Sequence, residues 1–322
     1  MKIFAAWLVV AAALFSGQPA SAQAKYPDRP IRMIVTFPPG GPTDSIGRLI
    51  AQKVTEKWGQ QIVVENIAGG GGNLGMATAA RAPADGYTIL VVSTGFIINP
   101  HLYARAPYKL EDFAPISLVA ASPDVLTVHP DVPARSIGEL ISVIKANPGK
   151  YSYAHPGLGS TAHLSAELFK LKSGLDIVMV PFGSAGGRAI NAVIGGHTQL
   201  AITALPPVVP NVKDGKLRAL AVLANERNSE LPNVPTMAES GIADMESHAL
   251  TGLVAAAGTP QAVIDFWHQE VVRIVALPEV QEKLKTLGFE AVASTPQGYA
   301  DRIRKEAAKW SKTIGEAKIK IE

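Results

Sequence analysis

Ile31-Arg32-Met33-Ile34-Val35-Thr36-Phe37-Pro38-Pro39-Gly40-Gly41-Pro42-Thr43-Asp44 is the stretch from which the fold is read. A short apolar run stops in a Pro/Gly loop, and the loop closes on Thr43 or Asp44, residue types that cap helix N-termini. Beyond it Ile46, Leu49, Ile50 and Val54 recur at helical spacing. A strand that breaks over glycines into a helix leaves several backbone N–H groups unpaired. The helix dipole adds partial positive charge at the same point, so an anion is the natural guest.

The chain repeats the device. Ile62 to Asn66 runs into Ala68-Gly69-Gly70-Gly71-Gly72-Asn73 and then the helix-like Leu74 to Ala80. Tyr151 to Ala154 runs into His155-Pro156-Gly157-Leu158-Gly159-Ser160-Thr161, and Val178 to Pro181 into Phe182-Gly183-Ser184-Ala185-Gly186-Gly187. Glycine permits positive φ and close backbone approach, while Ser, Thr, Asn or Asp can cap. With the junctions split between two expected lobes, the expectation is a small anion, a carboxylate, clamped between opposing helix N-termini.

Apolar β-rich runs alternate with helical patterns, which predicts an α/β fold with largely parallel sheets. Strands are expected at 31–36, 61–65, 87–92, 116–121, 125–128, 151–154, 177–181, 199–203, 217–223 and 250–255. Helices are expected at 44–58, 73–80, 136–146, 161–173, 186–195, 207–213, 236–240, 260–276, 278–286 and 296–313. The middle third reads as its own βα unit. Extended stretches near 118–125 and 221–254 would carry the chain out of one lobe and back, making a hinge with a cleft. The expected division is lobe 1 at 23–122 and 225–322, and lobe 2 at 123–224.

Residues 1–22 read as an export signal: Lys2, the apolar run Ile3 to Leu14, and Ala20-Ser21-Ala22 as cleavage site. The mature chain would begin at Gln23 in the periplasm. The chain has 322 residues and no cysteine, so there is no disulfide framework. Formal charge is +3, of which Lys2 supplies one, leaving +2. Basic residues are scattered apart from the lysine-rich C-terminal helix, which gives no reason to invoke nucleic acid.

Catalytic patterns are thin. Gly69 to Gly72 lacks the Gly-Lys-Ser/Thr ending of a P-loop, and there is no Gly-x-Ser-x-Gly elbow. Ser142-Val143-Ile144-Lys145 matches Ser-x-x-Lys but lies in a helical pattern with no Lys-Thr-Gly box. No metal site is expected, since the histidines show no His-Glu-x-x-His and cysteine is absent. No cofactor motif stands. His155 and His163 flank the third loop, and His163 also has the spacing to face Glu167 at i+4. Asp44 and Arg48 share that spacing and are expected to pair.

Phe37 to Asp44 with Arg48, Glu65-Asn66 with Ala68-Gly69-Gly70, Ala84-Asp85-Gly86-Tyr87-Thr88, Asn99-Pro100-His101-Leu102-Tyr103, Gly159 to Leu164, Leu231 to Thr236 and Ala257 to Pro260 together strongly resemble the Bug-type periplasmic solute receptors of tripartite tricarboxylate transporters. The resemblance runs from about residue 26 to the C-terminus. It implies a two-lobed periplasmic binding protein (type 2-like), monomeric and not an enzyme, which closes on a small organic acid and delivers it to inner-membrane permease subunits. The acid would be a di- or tricarboxylate, an aromatic carboxylate or an acidic amino acid. Carried over by position, the first-lobe ligand residues are Phe37, Gly40, Gly41, Thr43, Asp44, Ala68, Gly69, Gly70, Ser93 and Thr94. Those of the second lobe are His155, Gly157, Ser160, Thr161, Phe182 and Thr203. The alternatives are a ligand sensor without transport, or an exported hydrolase using Ser160 with His155 or His163.

Three departures fall in the second lobe. Phe182-Gly183-Ser184 stands where many members carry aromatic-Lys-Gly, Asn191 where an acid is common, and His197-Thr198-Gln199 where Gln-Val-Asp is usual. Ligand identity is therefore expected to be read around His155–Thr161 and Phe182–Ser184.

Overall fold

Strand β1 (Ile31–Val35) lies between β2 (Ile62–Asn66) and β3 (Thr88–Ser93) and is parallel to both. The structure, a computed structural model, describes residues 26–182 and 186–321, so the expected leader and Gly183 to Ala185 lie outside the described residues. Ile31, Met33 and Val35 pack on one face of β1, under Ile46, Ile50 and Val54 of α1 (Pro42–Trp58). Ile34 points the other way, with Leu90 and Val92 of β3 and Met76 of α2 (Asn73–Ala80). Burial on both faces is why these strands read as continuous apolar runs.

β9 (His248–Ala256) pairs antiparallel with β3 and with the first part of β4 (Phe113–Val128), which makes the first sheet mixed rather than parallel. The last part of β4 pairs antiparallel with β7 (Leu200–Ala204) and β8 (Arg218–Val222) in the second sheet. There β5 (Ser152–His155) is parallel to both β7 and β6 (Val178–Pro181). Helices α4 (Ile137–Lys145) and α5 (Thr161–Ser173) cover one face of that sheet through Leu140, Ile144, Ala166 and Phe169. Helix α6 (Gly186–Ile194) covers the other through Ala189, Ile190 and Val193.

Several expectations are corrected. The strands expected at 116–121 and 125–128 are one strand, β4, because Pro123 still pairs with His248 across a ladder whose register shifts. Residues 236–240 form a turn, not a helix, in which Glu239 N donates to Thr236 Oγ1 at 3.1 Å. A helix missed from sequence, α3 (Gly95–Leu102), opens on glycine, carries Pro100 and is buried on nearly every side, so it shows no amphipathic stripe. The chain ends with α7 (Val209–Lys213), α8 (Gln261–Val275), α9 (Pro278–Thr286), the short β10 (Glu290–Ala291) and α10 (Pro296–Glu316). Helix α8 is capped by Pro260, while Thr259 spends its hydroxyl on Ala256 O at 2.7 Å.

β4 is one crossing between the sheets, at Ser122–Asp124. The return does not follow the expected boundary at 224/225. Leu231 packs with the α6 cluster, and Met237 and Met245 with the α4–α5 cluster, so residues 231–245 stay with the second sheet, while Asn228 Nδ2 donates to Glu290 Oε1 of β10 at 2.7 Å. The return comes at Glu246–Ser247, where three backbone bonds tie the strands together: Asp124 N to Ser247 O (2.9 Å), Leu223 N to Asp124 O (2.8 Å) and Ser247 N to Leu223 O (2.7 Å).

Gly252, buried in β9, sits beneath Tyr299 of α10, and a Cβ there would overlap the Tyr299 ring and hydroxyl. Tyr299 is itself buried and has no room to withdraw. Gly252→Ala is expected to cost about 1–3 kcal/mol, a drop of several degrees in the thermal midpoint. An unchanged midpoint would mean that α10 does not seat on the sheet as described.

Candidate functional site

The first loop is held by its own carboxylate. The helix begins at Pro42 with Gly41 as its cap, not at Thr43 or Asp44, because Gly41 is extended and Pro42 carries a helix-ready φ. Asp44 is thus one turn inside and only 3% exposed. Its carboxylate accepts from Gly40 N (3.0 Å), Asn66 Nδ2 (2.8 Å) and Arg48 Nε (3.0 Å). Asn66 Nδ2 also donates to Phe37 O (2.9 Å), and Arg48 Nη2 donates to Asn66 Oδ1 (2.8 Å). Burial alone would raise the Asp44 pKa. The bonds from Arg48, Gly40 and Asn66 outweigh it and hold the group below the ordinary carboxylate range.

Two consequences follow. The expected Asp44–Arg48 pair is present, and Arg48 cancels a negative charge that would otherwise repel an anion. The amides of Gly41, Thr43 and Asp44 have no acceptor among the described residues, so they are the uncommitted donors of this loop.

The second loop needs its glycines. Gly69, Gly70, Gly71 and Gly72 all have positive φ (144°, 55°, 66° and 97°), a run that other residues would not tolerate. Ala68, Gly69 and Gly70 are exposed, whereas Gly72 and Asn73 are buried. Asn99 of α3 holds the loop from behind, donating to Gly71 O (3.0 Å) and Asn73 Oδ1 (2.8 Å). At the end of β3, Thr94 is fully engaged: Oγ1 donates to His248 O (3.2 Å) and accepts from Leu250 N (2.8 Å). Ser93 is half-buried, with Oγ accepting from Gly95 N at 3.3 Å.

In the second lobe, Ser160 caps α5. Its Oγ accepts from His163 N (3.2 Å) and donates to Gly157 O (2.8 Å). Among the described residues no ring nitrogen of His155 or His163 bonds that hydroxyl. His163 Nδ1 accepts from Gly159 N at 3.2 Å. Glu167 bonds Lys170 and Tyr153 and not His163, so the expected i+4 contact does not form. Burial, then the neighbouring His155 and Lys170, push the His163 pKa down to about 3.

His155 has no exposed surface and stacks on His163 with ring centroids 4.8 Å apart. Burial lowers its pKa, opposed by the nearby Gly157 backbone and the charge of Glu167, and neither ring nitrogen has a hydrogen-bond partner among the described residues. Thr203 is also fully buried, level with Val125 on β4, and its hydroxyl has no partner among the described residues. Gly157, Ser160 and Phe182 are only partly buried, and Phe182 N donates to His155 O at 2.9 Å. The second lobe therefore presents Gly157, Ser160 and Phe182 to solvent, with His155 and Thr203 behind them.

Asp124, at the β4 crossing, was not found from sequence. It is 1% exposed and accepts from Ser247 Oγ at 2.5 Å, with the Thr161 hydroxyl, at the start of α5, also favouring its charged form. Burial outweighs these bonds and the nearby Lys309, and with Glu306 it pushes the carboxyl up to about 6. No local pattern marks this residue; its role depends on the two crossings meeting. Asn66 and Asn99, in contrast, lie inside quoted motifs and could have been read as loop supports.

The loops thus cluster at the C-terminal ends of parallel strands, where open α/β sheets bind ligands. Among the described residues no group of three His, Cys, Asp or Glu is arranged to hold a metal. None of their helices is long and apolar enough to cross a membrane.

Residues 46–319 match the family described as "Tripartite tricarboxylate transporter family receptor". The chain is 36% identical to the protein BugT of Bordetella pertussis over 306 residues, covering 94% of this chain and 93% of that protein. Among solved structures, it is similar to an R. palustris protein with adipate (TM-score 0.79, 32% identity, 92% of this chain and 99% of that one). It is also similar to MatC from Rhodopseudomonas palustris with bound malate (TM-score 0.76, 29% identity, 90% and 100%).

Proposed function

This chain belongs to the receptor family of the tripartite tricarboxylate transporters, and from that premise we propose that it captures a small organic carboxylate between its lobes and presents it to an inner-membrane permease from the periplasm. The observation that carries the reading is the first loop. Its amides at Gly41, Thr43 and Asp44 are uncommitted among the described residues, and the Asp44 carboxylate beside them is paired with Arg48. A carboxylate seated there gains charge-assisted bonds without facing net negative charge. The exposed Ala68–Gly70 segment supplies a second set of backbone groups.

From the second lobe the contacts are drawn from Gly157, Ser160 and Phe182, while Thr161 is buried with its hydroxyl turned to Asp124. His155 and Thr203, fully buried, lie behind these contacts. Phe37 and Ser93 line the first-lobe side. Asp44 and Thr94 act as supports, since their side chains are already committed. Adipate and malate, held by two of the relatives above, set the size class of the acids to be tried.

A panel of di- and tricarboxylates, aromatic carboxylates and acidic amino acids is expected to contain a ligand that stabilises the protein. At a hundredfold excess over Kd the gain is about 2.7 kcal/mol, several degrees in the midpoint. Binding heat should accompany it. A panel that gives neither shift nor heat overturns the reading.

A further inference from the structure

Helix α3 touches both glycine loops. On the first-lobe side Asn99 holds Gly71 and Asn73. Tyr103, just past the helix, places its hydroxyl 2.9 Å from where a Gly71 Cβ would sit. On the second-lobe side Leu102 lies against Gly159 so closely that a Cβ there would overlap Leu102 Cδ2. Gly159 has φ +76°, so its conformation and its neighbour both demand glycine. One turn further, Leu164 of α5 is fully buried among Ile98, Leu102, Trp310 and Ile314, all from first-lobe helices. The end of α3 is itself strapped by the C-terminal segment, where Ile321 N donates to Leu102 O at 3.1 Å and Ala104 N to Ile321 O at 3.2 Å.

We propose that this apolar seam is the closure latch, with α3 as the element that couples the two ligand loops. The affinity for a ligand then depends on side chains that touch none of it. A receptor whose binding-competent state is populated to a fraction f binds with an apparent Kd of the intrinsic Kd divided by f. Weakening the seam lowers f and so weakens binding, with the first-lobe loop left intact. The proposal rests on the carboxylate-receptor reading only for the choice of ligand.

The test is a double-mutant cycle on Gly159→Ala and Leu102→Ala, read by calorimetry with the carboxylate identified from the panel. Gly159→Ala alone is expected to lower affinity about 10- to 100-fold. In the Leu102→Ala background it should cost at least about threefold less, because the overlapping methyls are gone. The strain of alanine at positive φ is common to both arms and cancels. Strictly additive effects would overturn the latch.

A second measurement needs no ligand. The native chain has no cysteine, so Gln52→Cys on α1 and Lys145→Cys on α4, both exposed, take a donor–acceptor dye pair on opposite lobes. Leu164→Ala is expected to shift the distance distribution toward longer values, and an unchanged distribution counts against the latch. If the unmutated protein binds no member of the panel, the receptor reading fails while the dye distances still judge the latch.

Discussion

Asp44→Ala is expected to cost the protein about 2–4 kcal/mol and to weaken carboxylate binding roughly 100-fold, although the Asp44 side chain touches no ligand. The substitution removes one acceptor from three donors at once and leaves Gly40 N, Asn66 Nδ2 and Arg48 without it. Freed from that carboxylate, the Pro38–Gly41 loop loses the fixed aim of its amides. Arg48 would become a lone positive charge beside the site, so any gain in raw attraction must work against lost organisation.

The pH dependence gives an independent check. Because the folded-state pKa of Asp44 is depressed, its stabilisation is present above the ordinary carboxylate range and lost as pH falls through and below it. The unmutated and Asp44→Ala proteins should therefore differ most at neutral pH and converge in strong acid. Denaturant melts across that range, with binding measured at neutral pH, decide the matter. Full affinity in the variant would mean the loop does not hold the carboxylate.

Asp124 is expected to behave in the opposite sense. Its folded pKa, about 6, lies above the value of about 3.9 for an unfolded aspartate. Its contribution is therefore complete below about pH 4 and is lost as pH rises through 6, leaving a deficit of roughly 2–3 kcal/mol at pH 8. Asp124→Asn keeps an acceptor for Ser247 and carries no charge. The difference in stability between the two proteins should thus tilt toward the variant from pH 4 to 7 and level off above.

Taking the difference removes the buried histidines. His248, which burial and then Arg302 and Lys309 push down to about 4, titrates in the same interval with the reverse sign. Parallel stability curves for the two proteins would show that Asp124 is not the buried acid described here. The charged groups facing Asp124 are Lys309 and Glu306 of α10, so a shift in either should move the midpoint.

Part of the candidate site's local geometry was readable because it depends on neighbours along the chain. Positive φ at four successive positions requires glycine wherever the loop lies, so Gly69 to Gly72 announce themselves in the chain. The Asp44–Arg48 pair follows from helical spacing alone. The cap is not legible from residue type, because both Gly41 and Thr43 satisfy the preferences, and the extended Gly41 followed by Pro42 decides it. Which second-lobe candidates face solvent was not readable at all. His155 and Gly157 are two residues apart, yet one is fully buried and the other is not.

By itself the sequence determined the alternation of strands and helices, the glycine loops that join them, and the resemblance that identifies the family. These depend on backbone freedom and periodicity, which neighbours along the chain carry. The tertiary structure decided the antiparallel place of β9, the return crossing at Ser247, the burial of Asp124 and the existence of α3. Helix α3 has a glycine start, an internal proline and no polar face, so local preference argues against it. It is stable because the first lobe surrounds it, and only that packing brings Leu102 against Gly159, more than fifty residues away in the chain.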